Sequence, residues 1–125
     1  MSATMSKSFM SPDFLTKFLE EYREMSVLWQ VRSADYSNST KRDEAWDLLL
    51  QLTREKIPEA DLCFVKKEVD SIRASFRKEL RRVRDSKRSG LYADDVYKPT
   101  LWYFDLLLFT ADQDIPRNQI LYVFI

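Results

Sequence analysis

Residues 62–88 read LCFVKKEVDSIRASFRKELRRVRDSKR, and this stretch decides the fold. Its apolar positions are Leu62, Val65, Val69, Ile72, Phe76, Leu80 and Val83, separated by threes and fours throughout. That interval is the repeat of an α-helix with one buried side, and no strand keeps it. The spacing predicts a long helix that opens on Pro58-Glu59-Ala60-Asp61 and ends at Ser89-Gly90.

The same stretch concentrates the charge. From Lys66 to Arg88 there are ten basic residues against four acidic ones, a net of +6. The remainder of the chain therefore carries −6, because twenty basic and twenty acidic residues cancel overall. A net charge of zero argues against a nucleic-acid binder when taken whole, yet its segregation onto one helix argues the other way. Beside the apolar edge, a projection at ~100° per residue lines up Lys66, Asp70, Arg73, Arg77, Arg81, Arg84 and Arg88. A rod of ~1.5 Å rise per residue makes this line about 33 Å long, close to one turn of duplex DNA. A straight helix cannot follow a curved groove that far. Lys66, Lys67, Asp70 and Arg73 are therefore expected at base edges, where Lys and Arg suit guanine and a carboxylate accepts from cytosine N4. Arg77, Lys78, Arg81, Arg84, Lys87 and Arg88 are expected over the phosphates. From charge alone three readings stay open: a nucleic-acid interface, a solvated helix face, or a surface for an acidic protein partner.

Outward from this helix the chain reads as all-α. Residues 1–10 look like a loose tail, and Ser11-Pro12-Asp13 looks like a helix start with a capping hydroxyl. Phe14, Leu15, Phe18, Leu19 and Tyr22 follow at helical spacing to about Met25. Thr40 reads as the cap of a second helix with Asp43 in capping-box position, and Ala45, Trp46, Leu49 and Leu52 as its buried line. Pro58 forbids helical backbone at Ile57 and stops it. Leu91–Lys98 is a connection in which Asp94 and Asp95 repel phosphate or cap the fourth helix. Pro99 is expected to open that helix, apolar nearly all round, through Phe109. Trp29, Trp46 and Trp102 read as core or near-core residues.

Several chemistries fall away. Histidine is absent and Cys63 is the only cysteine, so neither a His-based catalytic triad nor a Cys/His zinc site can be assembled. Cys63 is expected to be a small buried thiol. No segment has the length and apolarity of a signal peptide or membrane span, and the chain reads as a soluble intracellular protein. No cofactor, small-molecule substrate or catalytic step is expected.

Trp46, then Val69-Asp70-Ser71-Ile72-Arg73-Ala74-Ser75-Phe76-Arg77-Lys78-Glu79-Leu80, then Leu101-Trp102-Tyr103-Phe104-Asp105, together resemble the MADF domain. The likeness continues through Asp85–Gly90, Asp94-Asp95-Val96-Tyr97 and Asp112–Arg117, and spans residues 13–117. It implies a Myb/SANT-like helix-turn-helix bundle of about four helices within residues 11–117, with the third as recognition helix. It also implies a nuclear transcription regulator that binds double-stranded DNA. Some similar proteins look like companions of transposases, and others work mainly through protein contacts, so an adaptor whose basic helix meets an acidic protein is the alternative. Val69 departs from the tryptophan many members carry there. Residues 118–125 form an apolar tail, expected to be a docked extension or the end of a truncated gene, where many members continue toward a BESS interaction motif.

Overall fold

Pro12 occupies the first turn of a helix, and Ser11 before it has extended backbone, as the proline ring dictates. The structure, a computed structural model, describes residues 2–30, 34–88 and 96–114. Among these residues it is all-α, without a strand. The helices are α1 (Ser2–Phe9), α2 (Pro12–Glu24), α3 (Ser39–Lys56), α4 (Leu62–Arg88) and α5 (Ala111–Asp114). Short 3-10 helices cover Ser26–Leu28 and Phe104–Thr110. The chain divides into two compact units, Met1–Ser71 and Ile72–Ile125.

In the first unit, the segment expected as a loose tail forms α1 instead. Its last residue, Phe9, is fully buried and meets Phe14, Phe18 and Phe64 edge-on at 5.4, 4.8 and 5.8 Å between ring centroids. A polar run of this composition does not hold a helix alone; the docked ring does. Ser6 also donates a hydrogen bond to the Glu68 carboxylate. Leu15, Phe18, Leu19 and Tyr22 bury the inner side of α2, as their spacing required. Ser11 does not cap α2 with its side chain, because the hydroxyl accepts from Lys56 Nζ at 2.9 Å. At the other end, Trp29 Nε1 donates to the terminal carbonyls of Tyr22 and Arg23 at 3.1 and 3.2 Å.

Helix α3 is capped two residues before the expected Thr40. Asn38 supplies the cap, its side-chain oxygen accepting from Lys41 N at 3.1 Å. Ala45, Leu49, Leu50 and Thr53 face the core, while Leu48 lies 61% exposed. The Thr53 hydroxyl is reconciled with burial by donating to the Leu49 carbonyl at 2.8 Å. The helix ends at Lys56 before Pro58, as expected, and a turn buries Ile57 and Ala60. Arg54 Nε holds that turn through the Ala60 carbonyl at 2.8 Å. The turn takes up Pro58–Ala60, so α4 opens later than expected, at Leu62. Asp61 caps it by accepting from Phe64 N at 2.8 Å. Cys63, on the first turn, is exposed and not the buried thiol expected.

In the second unit, Ile72, Phe76, Leu80 and Val83 of α4 are buried. The helix expected from Pro99 does not form: residues 97–101 are non-helical, and a 3-10 helix begins only at Phe104. Its three-residue repeat explains the choice, since Phe104, Leu107 and Thr110 then share one buried side. Phe104 packs on Phe76 with centroids 5.0 Å apart, and Thr110 returns its hydroxyl to the Leu107 carbonyl at 2.8 Å. Trp102 is left 49% exposed, edge-on to Tyr103 at 5.6 Å, and is not the core residue expected. The expectations for Ser89-Gly90, Asp94, Asp95 and residues 118–125 lie outside the described residues.

Candidate nucleic-acid interface

The apolar edge of α4 determines which of its charges meet solvent. In its first-unit segment Val65 and Val69 are buried, which turns Lys66, Lys67 and Asp70 outward. Lys66 is not a loose side chain: its ammonium lies 5.5 Å from the centroid of the Trp46 ring. An aromatic face attracts a cation without neutralising it, so the positive charge is held in place and kept.

In the second-unit segment the expected basic line is divided. Arg81 and Arg88 are exposed, whereas Arg73, Arg77, Arg84 and Lys87 are half-buried. Arg84 sits 2.9 Å from the Asp85 carboxylate, with 18% of its side chain exposed. Lys78 is exposed as well. Lys67, Lys78, Arg81 and Arg88 make no ion pair among the described residues. The solvent-facing cations thus lie further from the apolar edge than the drawn line through Arg73, Arg77 and Arg84. A half-buried arginine can still lay its guanidinium at the rim while its stem covers apolar surface.

Two α4 residues were not singled out from the sequence as important. Glu79 is buried, only 7% exposed, and both its oxygens are engaged. Tyr97 donates its hydroxyl to one, and Thr100 donates to the other at 3.0 Å. The Tyr97 hydrogen bond is the largest influence on Glu79 and lowers its pKa, against burial, which raises it; Thr100 and the Arg82 charge assist the lowering. The spacing carried a hint, because Glu79 stands three residues after Phe76 and four before Val83. Arg82 is the second such residue. Its guanidinium lies 5.6 Å from the Tyr97 ring centroid and 4.0 Å from Glu79, so this cation is partly spent inside the unit.

Burial raises the pKa of Tyr103, opposed by its hydrogen bond to Ser75. Among the described residues no group of His, Cys, Asp or Glu side chains is arranged to hold a metal ion. No described helix is long and apolar enough to cross a membrane.

The family described as alcohol dehydrogenase transcription factor Myb/SANT-like, the MADF DNA-binding domain, matches residues 18–109. That span begins within α2 and ends within the 3-10 helix before α5, and it takes in all of α3 and α4. No curated protein and no solved structure matches the chain. With nearly three-quarters of its length matched and the all-helical order in place, the chain belongs to the MADF family of Myb/SANT-like DNA-binding domains.

Proposed function

We propose that this protein binds double-stranded DNA sequence-specifically in the nucleus, in transcription control, with α4 as the reading helix. Its role is binding and not catalysis. The observation that carries the reading is the set of exposed cations Lys67, Lys78, Arg81 and Arg88, which no carboxylate among the described residues neutralises. Membership of a DNA-binding family supplies the ligand class.

In this reading Lys66, Lys67, Asp70 and Arg73 approach base edges in the major groove. Arg77, Lys78, Arg81, Arg84, Lys87 and Arg88 pass along the phosphates. Phosphate contacts give affinity without sequence preference, whereas base contacts change affinity at single positions.

A salt titration of duplex binding tests it. About five phosphate contacts give a slope of log K against log salt near −4.5. Arg73→Ala then relaxes preference at one base pair by ~1–3 kcal/mol and leaves other positions alone. Passage through a DNA column at low salt, together with capture of an acidic protein by the same helix, would replace this reading with the adaptor one.

A further inference from the structure

One cation outside the basic line of α4, Arg42 of α3, converges with Lys66 of α4 in the first unit. Ser39, Arg42, Asp43 and Trp46 of α3, together with Lys66 of α4, line a concavity of about 190 Å³. Both cations in it rest on aromatic faces. Lys66 lies 5.5 Å from the Trp46 ring centroid, and the Arg42 guanidinium lies 5.5 Å from that of Tyr36. Neither Arg42 nor Lys66 makes an ion pair among the described residues; nearby, Lys41 pairs with Asp35 at 3.0 Å.

The manner of holding decides what the site is for. A carboxylate that fixes a cation also cancels it, whereas a ring fixes it and leaves its charge for a third party. Long basic side chains lose rotamer entropy when they are ordered by a ligand, and the rings have already removed part of that freedom. A guanidinium presents a planar fork, an ammonium a point charge, and the Ser39 hydroxyl a further donor. These are donors for a tetrahedral oxyanion. Asp43, exposed on the same wall, is the one group there that opposes an anion.

We infer that this α3–α4 concavity is a phosphodiester clamp, in which Arg42 and Lys66 grip one backbone phosphate of the DNA. The inference rests on the DNA-binding reading and deepens it. It moves Lys66 from the base edges to the backbone, and it adds α3 to the interface through Arg42. A phosphate seated there fixes the register of α4 along the duplex, since Lys66 precedes Lys67 and Asp70 on the same helix.

The test measures anisotropy of a labelled duplex with the full chain over a range of salt. Arg42→Ala leaves Lys66 alone on that phosphate and flattens the slope by less than about 0.9, whereas Arg42→Ala combined with Lys66→Ala removes the contact and flattens it by about 0.9. Asp43→Asn removes the opposing charge and tightens binding about two- to fivefold, the scale of one exposed charge. A misfolded variant cannot mimic that gain. Lys17→Ala, an exposed cation on α2, serves as the control and leaves the slope unchanged. If the Arg42→Ala, Lys66→Ala double variant behaves like Lys17→Ala and Asp43→Asn brings no gain, while Lys78→Ala and Arg81→Ala still flatten the slope, the clamp is overturned and the α4 reading stands. If the unaltered chain shows no salt-dependent binding, both are overturned.

Discussion

The Tyr97 hydroxyl donates to the buried carboxylate of Glu79, tying the non-helical residues after α4 back onto the helix from which they came. Thr100 donates to the second carboxylate oxygen at 3.0 Å, and the backbone N–H of Tyr97 donates to Ser86 Oγ at 2.7 Å. This segment has no strand to pair with among the described residues, so these side chains stand in for a ladder. A hydrogen bond to an ionised group contributes about 1.5–3 kcal/mol. Tyr97→Phe keeps the ring beneath Arg82 and deletes only the hydroxyl. It is expected to lower unfolding free energy by about 2 kcal/mol in a urea titration, the middle of that range. A loss too small to measure would mean that Glu79 is satisfied without Tyr97.

The same carboxylate sets an acid limit. Its folded-state pKa is lowered, first by the Tyr97 hydrogen bond, so the folded state favours the ionised form. The stabilisation is present above the pKa of the unfolded chain and is lost as pH falls through the lowered folded value. Unfolding free energy of the native sequence should therefore decline between about pH 5 and pH 2 more steeply than that of Glu79→Gln. Parallel curves for the two proteins would show that Glu79 contributes no pH dependence.

Phe9 shows how much a terminal segment can hide. It is fully buried, with its ring edge-on to Phe14, Phe18 and Phe64. Removing a buried phenyl ring costs about 3–5 kcal/mol, and the lower end applies here because α1 can detach and spare the rest a cavity. Phe9→Ala should cost about 3 kcal/mol by urea unfolding and leave the helical signal of α2, α3 and α4 intact. An unchanged midpoint would mean that α1 does not hold to the first unit.

Legibility followed the reach of each interaction. The core side of α4 could be drawn from the sequence because Val65, Val69, Ile72, Phe76, Leu80 and Val83 repeat every three or four residues, and all six are buried. Pro58 likewise stops α3 by a purely local clash. Phe9 was hidden because its partners Phe14, Phe18 and Phe64 are arranged only by the fold. Asn38 and Thr40 are equally plausible caps in one dimension, and only backbone geometry chooses between them. The charges of α4 were legible in kind but less so in exposure. Arg73, Arg77 and Arg84 sit close enough to the apolar edge to be half-buried, whereas Lys78 and Arg81 are exposed. The Arg42–Lys66 concavity was out of reach, because it needs α3 and α4 side by side.

On the proposed DNA-binding reading, that difference in exposure should separate the contributions of neighbouring arginines. Arg81 is exposed and makes no ion pair among the described residues, whereas Arg84 has a carboxylate of Asp85 at 2.9 Å. A phosphate approaching Arg84 must displace or share that partner, which returns part of the gain. Counterion release counts phosphates newly neutralised, so an arginine already paired within the protein adds less than one to the slope. Arg81→Ala should flatten the dependence of log K on log salt by about 0.9, the value for one full contact. Arg84→Ala should flatten it by less, because the Asp85 carboxylate already shares that charge. Equal slopes for Arg81→Ala and Arg84→Ala would show that the Asp85 pair dissolves on binding. Unchanged slopes for both would remove this part of α4 from the phosphate path altogether.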